Sequence, residues 1–182
     1  MAWSEADGPS AAKILIAGGS GVGKSTFVRT VSEIPPLTAE TPPTDRGPVA
    51  AAPSATTVEL DLGRITMEPA GVILYLFGTP GQSRFWFRWD ALVQGAIGAV
   101  VLVDTRRIED SFAALDFFED RRVPFVIAVN QFDGAPVCPL EDVVRAADLG
   151  AGQPVLRCDA RDNASARSAL VAVVRHALRL AA

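Results

Sequence analysis

The chain has 182 residues, of which 49% are hydrophobic and 21% charged, and its formal net charge is −4. This length and composition predict one domain with a sizeable core and exclude a wholly disordered protein. The acidic balance argues against nucleic acid as the main partner, because phosphate backbones attract basic surfaces. No apolar stretch is long enough for an integral membrane segment, the N-terminus lacks a secretory signal, and the two cysteines make no disulfide framework. We therefore expect a cytoplasmic protein.

The first predicted strand, Lys13 to Ala17, runs into a glycine-rich loop. Residues 18–25 fit the pattern G-x-x-x-x-G-K-[ST] without a mismatch, and a helix is predicted over residues 24–33. Glycines let successive backbone N–H groups converge on one anion, and the helix start adds its unpaired N–H groups. Lys24 would reach the β- and γ-phosphates and Ser25 would ligate Mg²⁺. The alternative is a glycine-rich turn that binds nothing. The predicted phosphate-binding residues are Gly18, Gly19, Ser20, Gly21, Val22, Gly23, Lys24, Ser25 and Thr26.

A proline-rich stretch follows the first helix. Residues 35–55 contain few bulky aliphatic side chains, so no packed core element is predicted there. A loop of this length inside a compact domain indicates a functional segment. It ends at Thr56 and Thr57, where a threonine could bond the γ-phosphate and Mg²⁺ together when triphosphate is bound. The alternative is that these threonines only open the next strand.

Strand and helix patterns alternate along the rest of the chain. Residues 57–62 and 72–77 predict a hairpin across the turn at 68–71. The remaining predicted elements are strands over 99–103, 125–129 and 154–156 and helices over 84–89, 109–120, 139–147 and 163–180. This alternation predicts a mainly parallel sheet with one antiparallel edge strand and helices on both faces. Ligands bind such sheets at the carboxyl ends of the strands, where the phosphate loop falls.

A second loop candidate, Gly78-Thr79-Pro80-Gly81-Gln82, directly follows a predicted strand. The Gly81 amide could sense a γ-phosphate, and Gln82 could orient an attacking water. The alternative is an ordinary Pro-Gly turn. The predicted catalytic residues are accordingly Gln82 and Lys24.

Two further stretches suit recognition of a base. Asn130-Gln131-Phe132-Asp133 follows a buried strand, and the Asp133 carboxylate can accept from the N1–H and exocyclic amine of guanine, whereas adenine presents the wrong donors. In Cys158-Asp159-Ala160-Arg161, the backbone N–H of Ala160 could meet guanine O6. Each stretch could also be a polar cap at a strand end.

Together, in this order, the five stretches resemble the Ras-like small GTPases over residues 13–180. The sequences Thr-Thr-Val-x-x-Asp-Leu-Gly-Arg-Ile, Leu-Phe-Gly-Thr-Pro-Gly-Gln and Arg-Phe-Trp-Phe-x-Trp are most similar to the actinobacterial conservon GTPases, which are distantly related to the bacterial polarity GTPase MglA. The resemblance implies a P-loop NTPase fold of the Ras-like G-domain type with a six-stranded sheet. It also implies GTP and GDP as ligands, Mg²⁺ as cofactor, and a roadblock/LC7-domain protein and a histidine-kinase-like protein as partners.

The resemblance also implies boundaries and roles. Residues 1–12 would be a flexible N-terminus and 13–182 the G domain, with 35–56 as switch I and 78–90 as switch II. Cofactor contacts would come from the phosphate loop and from Thr57, Gly81, Asn130, Gln131, Asp133, Cys158, Asp159 and Ala160. Apart from the resemblance, Phe85, Trp86, Phe87 and Trp89 cannot all point inward from one helix, so some of them are expected on a partner surface. The alternative is that this helix packs entirely under the proline-rich loop. His176, away from every motif, is expected on the molecular surface.

The chain departs from the family pattern at two positions. Most small GTPases begin switch II with an aspartate that holds Mg²⁺ through water, and this position is Gly78. Asp61 on the neighbouring strand is the candidate replacement, so the predicted metal ligands are Ser25, Thr57 and Asp61; Asp61 could equally be a solvated edge residue. Gln131 stands where the family has a lysine covering the sugar and base.

The sequence therefore predicts a GTP-hydrolysing switch read by a partner protein. Two other functions stay open. One is a guanine-nucleotide-bound interaction module with negligible hydrolysis, and the other is an ATP-binding use of the phosphate loop.

Overall fold

The computed structural model describes residues 10–35, 37–41, 58–81, 89–150 and 152–182. Its strands are β1 (Ala11–Gly18), β2 (Leu37–Thr41), β3 (Val58–Met67), β4 (Val72–Gly78), β5 (Ala96–Val103), β6 (Phe125–Asn130) and β7 (Val155–Cys158). Its helices are α1 (Lys24–Val31), α2 (Trp89–Val93), α3 (Phe112–Asp120), α4 (Leu140–Ala146) and α5 (Asn163–Ala181), and a short 3₁₀ helix, Ile108–Ser111, precedes α3.

The described strands form one sheet in the order β2-β3-β4-β1-β5-β6-β7. Neighbours from β4 to β7 pair in parallel, and β3 runs antiparallel to both β2 and β4. The predicted α/β fold class, with its mainly parallel sheet and antiparallel β3, is confirmed. The six predicted strands are all present, and β2 is added at the edge beyond β3.

Strand β2 falls within the stretch for which the sequence predicted only a loop. It pairs with β3 through backbone register, from Leu37 opposite Leu62 to Thr41 opposite Val58. Leu37, the bulky aliphatic residue of this strand, is 60% exposed and so does not anchor it in the core. Backbone pairing with an open sheet edge explains why hydrophobic patterning did not reveal it.

Both faces of the sheet are covered. Along β1, Ile14 and Ile16 pack with α1 and α5 on one face, whereas Leu15 and Ala17 pack with α2, α3 and α4 on the other. Successive side chains of a strand point to opposite faces, so a fully apolar strand serves two cores. The four side chains are completely buried.

Two local expectations need correction. Strand β1 begins at Ala11, inside the segment predicted to be flexible, because residues 11 and 12 pair with Ile73 and Leu74 of β4. His176 is only 8% exposed, so its expected surface position is wrong. The buried residues of α5 are Ala166, Ala169, Leu170, Val173 and His176.

The fold places the motif loops at one edge of the sheet. Parallel strands β1, β4, β5, β6 and β7 all end there, and each leads directly into a candidate stretch or, for β5, into Asp104. Such an edge is where open α/β sheets bind ligands. Within the described ranges, no helix combines the length and the apolar character needed to cross a membrane.

Candidate functional site

The phosphate loop leaves β1 through backbone conformations that favour glycine. Gly18, Gly21 and Gly23 have φ values of 130°, 72° and 106°. A Cβ on Gly18 would collide with the Leu102 carbonyl oxygen. Helix α1 then begins at Lys24 without a side-chain cap or an acidic residue in its first turn. The N–H groups at this helix start are therefore available to an anion.

Lys24 turns back over this loop. Its Nζ donates to the carbonyl oxygens of Gly18 at 3.0 Å and Gly19 at 2.6 Å. Burial lowers the pKa of Lys24 to about 8, and the nearby Asp61 carboxylate opposes that change. A cation held mainly by carbonyl oxygens in a partly desolvated site is suited to an anionic ligand.

Asp61 and Gly78 meet across the β3–β4 pair. Asp61 is 8% exposed, and a Cβ placed on Gly78 would lie 3.2 Å from Asp61 Cβ and 3.5 Å from its Oδ2. The Asp61 side chain thus occupies the space beside Gly78, the position where most small GTPases have an aspartate. Among the described residues no group of three or more His, Cys, Asp or Glu could hold a metal ion, so Mg²⁺ here would need hydroxyl and phosphate oxygens besides Asp61.

The loop that follows β4 lies against the phosphate loop. A Cβ on Gly81 would come 2.7 Å from Lys24 Nζ and 2.9 Å from Ser20 Cα, so only glycine allows this approach. Thr79, two residues earlier, is 2% exposed, and its Oγ1 has no hydrogen-bond partner within the part of the chain that the structure describes. A buried orphan hydroxyl, a partly buried lysine and a glycine cradle together fit a polyphosphate with its magnesium ion.

Asn130 ties two of the loops together. Its Nδ2 donates to the Val22 carbonyl at 2.9 Å, and its Oδ1 accepts from the Ala160 backbone N–H at 2.9 Å. Asn130 is 7% exposed, and its Nδ2 would be 2.7 Å from a Cβ on Gly23. The Ala160 N–H that the sequence assigned to guanine O6 is donated to Asn130 in this structure.

Asp133, the predicted base reader, is 88% exposed. Arg161 donates to it at 2.8 Å and also bonds both carboxylate oxygens of Asp159 at 2.9 Å. These bonds hold the pKa of each carboxyl below its ordinary value. Sequence reasoning missed Arg161 as a site residue, although it directly follows the Cys158–Ala160 stretch.

Gln131 and Cys158 have supporting positions. Gln131 is exposed, and its backbone N–H donates to the Cys158 carbonyl at 2.8 Å, which joins the ends of β6 and β7. Burial raises the pKa of the Cys158 thiol to about 11, so this side chain is a neutral packing group.

The described part of the chain does not contain every residue predicted for the site. Thr56, Thr57 and Gln82 lie outside the described residues, as do the aromatic residues at 85–87. Trp89 is 2% exposed and stacks on Phe118 with ring centres 5.9 Å apart. Trp89 is therefore an inward-facing member of the aromatic set, because α2 turns it into the core, and the expected partner surface on the other three aromatic residues stays a prediction.

A known protein family matches most of this chain. Residues 51–180 match the family described as "Conserved hypothetical ATP binding protein". The chain belongs to this family. The matched range starts after the phosphate loop and covers the other motif loops. A curated relative is the uncharacterized protein MJ1339 of Methanocaldococcus jannaschii, 25% identical over 123 residues, which are 66% of this chain and 70% of that protein.

Solved structures show the fold of this family member. It is similar to the cytosolic domain of the T. maritima FeoB iron transporter in a GDP form, with a TM-score of 0.68 and 18% identity over 94% of this chain and 65% of that one. It is also similar to the G domain of the same transporter, with a TM-score of 0.65 and 19% identity over 92% and 99% of the two chains. The fold is that of a P-loop GTPase domain. Family and fold together identify a nucleotide-binding P-loop protein.

Proposed function

We propose that this chain is a GTP-binding molecular switch that hydrolyses GTP to GDP and phosphate. The observation that carries the proposal is the approach of Gly81 to Lys24 Nζ and Ser20. An anion held by the phosphate loop would meet the start of the segment that leads to Gln82. The presence or absence of the terminal phosphate would then change the contacts available to that segment.

Guanine is the proposed base. The Asn130 bridge joins Val22 in the phosphate loop to Ala160 in the last loop, which brings the predicted base contacts next to the predicted phosphate contacts. Asp133 is ionised and accessible, and Arg161 holds it. A carboxylate can accept both the N1–H and the exocyclic amine of guanine.

Magnesium is proposed to be held by Ser25, Thr57 and Asp61 together with phosphate oxygens. When bound, Mg²⁺ would neutralise phosphate charge during attack by water. The buried position of Asp61 beside Gly78, within electrostatic reach of Lys24, supports its part in this set. Gln82 would orient the water, and Lys24 would stabilise charge on the phosphates.

The binding part of the proposal is tested with the purified full chain. Melting temperature and calorimetry are measured with Mg²⁺ and GDP, GTP, ADP or ATP. We expect guanine nucleotides to raise the melting temperature and Lys24→Ala to remove the effect. Absence of heat and of any melting shift with all four nucleotides would contradict the proposal.

Base identity has its own test. Asp133→Asn replaces an acceptor oxygen with an amide donor, so it should weaken GDP binding and strengthen binding of xanthosine diphosphate, which carries a carbonyl in place of the amine. Competition with ATP decides the second candidate, an ATP-binding protein, which the family description favours. Tighter ATP than GTP binding would remove the guanine assignment.

Hydrolysis is tested by single-turnover phosphate release with wild type and Gln82→Leu. We expect slow release by wild type and slower release by the variant. If both proteins leave GTP intact for hours, the chain is a nucleotide-bound interaction module instead. A roadblock/LC7-domain protein and a histidine-kinase-like protein are the partners proposed to read the switch, on the sequence resemblance alone.

A further inference from the structure

Two adjacent arginines follow β5 and diverge from one buried carboxylate. Asp104 is 4% exposed and accepts from Arg106 Nε at 2.9 Å, Arg106 Nη2 at 2.7 Å and the Arg106 backbone N–H at 3.0 Å. Arg107 Nη2 lies 3.9 Å from the same carboxylate, and its Nη1 lies 3.6 Å from Asp110. Both guanidinium groups are therefore fixed by acidic neighbours on their own connection.

Arg107 reaches the phosphate loop. Its Nη2 donates to the Ser20 carbonyl at 3.3 Å and would lie 3.7 Å from a Cβ on Gly21. The following 3₁₀ helix packs against the same loop. A Cβ on Gly19 would come 2.7 Å from Asp110 Cβ. The connection after β5 thus supports the outer side of the phosphate loop at successive residues.

The hydrogen bond to Ser20 has a directional consequence. In a planar trans peptide, the carbonyl of Ser20 and the N–H of Gly21 point in opposite directions. Fixing this carbonyl toward Arg107 therefore fixes the Gly21 N–H away from Arg107. Gly21, at φ 72°, has no side chain to restrict this peptide, so the loop alone would hold it weakly.

Arg106 extends to the base side of the site. Its guanidinium carbon lies 4.0 Å from the centre of the Phe132 ring, and Phe132 stands between Gln131 and Asp133. The two arginines therefore contact different halves of the site from the same anchor, Asp104. Of the two, Arg107 is the one that donates to the phosphate loop.

We propose that Arg107 is a positioning residue that orients the Ser20–Gly21 peptide for binding of a diphosphate group. The ligand class is a pyrophosphate-containing nucleotide, so the inference rests on the proposed nucleotide function. Arg107 acts through the backbone of the loop and Asp104 holds it in place.

The test measures binding of inorganic pyrophosphate and GDP, and the GDP dissociation rate, for the full chain. Arg107→Gln should weaken pyrophosphate and GDP binding about tenfold, as expected for loss of one hydrogen bond from a charged donor, with the melting temperature of the free protein unchanged. Arg107→Lys keeps a donor for Ser20 and should restore most of the affinity. Arg145→Gln is the matched control and should leave pyrophosphate affinity unchanged, because Arg145 is 78% exposed and pairs at 3.0 Å with Asp142 of its own helix, α4.

The outcomes separate the two proposals. If wild type binds pyrophosphate but neither guanine nucleotide, the guanine function fails and the Arg107 comparison still decides the inference. If Arg107→Gln binds pyrophosphate like wild type, or if Arg107→Lys is as weak as Arg107→Gln, the inference is wrong. Equal losses in Arg107→Gln and Arg145→Gln would also overturn it, since they would indicate a general effect of removing an exposed arginine. Wild type that binds neither pyrophosphate nor any nucleotide would overturn both proposals.

Discussion

Asp61 on β3 packs against Gly78 on β4, so closely that a Cβ on Gly78 would lie 3.2 Å from Asp61 Cβ. Most small GTPases carry a carboxylate at the position of Gly78, at the end of β4. In this chain a carboxylate is available there from Asp61 on the neighbouring strand β3. Because side chains opposite each other on paired strands share a face, an acid can move between them and keep its place in the site.

This relationship predicts the effect of removing the carboxylate. Asp61→Asn should lower the Mg²⁺-dependent part of GTP affinity about ten- to a hundredfold, because a weaker ligand set holds the ion less tightly. GDP binding in EDTA should change little. The measurement is a nucleotide titration at several Mg²⁺ concentrations.

A rescue variant sharpens this prediction. Asp61→Gly combined with Gly78→Asp moves the carboxylate across the strand pair and should restore Mg²⁺ dependence. If Asp61→Asn alone binds Mg²⁺–GTP like wild type, Asp61 is not a metal ligand.

Asn130 predicts a loss of stability as well as of binding. Asn130→Ala leaves the Val22 carbonyl and the Ala160 N–H without their side-chain partner, which should lower the free energy of unfolding by about 1–3 kcal/mol. Urea unfolding measures this. The neighbouring exposed residue supplies the control, since Gln131→Ala should change stability by less than about 0.5 kcal/mol. Similar losses in both variants would contradict a bridging role.

The lowered pKa of Lys24 predicts a pH dependence of binding. In the free protein Lys24 loses its proton around pH 8, and a bound polyphosphate should raise its pKa again. Diphosphate affinity should therefore fall as pH rises above 8, by up to about tenfold per pH unit. Calorimetry in buffers of different ionisation enthalpy should detect proton uptake on binding.

The same pKa has the opposite effect on folding. Lys24 titrates at about 8 in the folded chain and at its ordinary 10.5 when unfolded, so the unfolded chain binds more protons between these values. The Lys24 contribution to the free energy of unfolding should therefore increase with pH through this window.

The binding prediction has its own contradicting outcome. A diphosphate affinity that does not change between pH 7 and 9 would show that Lys24 is not titrating in the site.

Gly81 predicts a substitution that slows GTP hydrolysis without unfolding the chain. In Gly81→Ala the new Cβ would meet Lys24 Nζ at 2.7 Å and Ser20 Cα at 2.9 Å. The loop after β4 must therefore move away from the phosphate loop. Phosphate release from GTP should slow at least about tenfold. Gly150→Ala, where a Cβ meets no atom within 4 Å, is the control and should hydrolyse GTP like wild type. Equal rates in the two variants would count against a contribution of Gly81 to the switch.

Most of the fold could be predicted from the sequence, because its signals are local. The phosphate loop needs glycines at fixed spacing before a lysine, and buried parallel strands need continuous apolar runs such as Ile14 to Ala17. The exception, β2, is held by backbone pairing to β3 and carries its exposed Leu37 into solvent, so no hydrophobic pattern marks it.

What the sequence by itself determined is therefore the phosphate loop, the alternation of strands and helices, and the order in which motif loops reach one edge of the sheet. Only the tertiary structure decided which side chains meet there: Asp61 beside Gly78, Arg161 on Asp133, Asn130 between Val22 and Ala160, and Arg107 on Ser20. The physical reason is that a loop conformation follows from neighbouring residues, whereas these contacts join residues far apart in sequence and depend on strand register and topology.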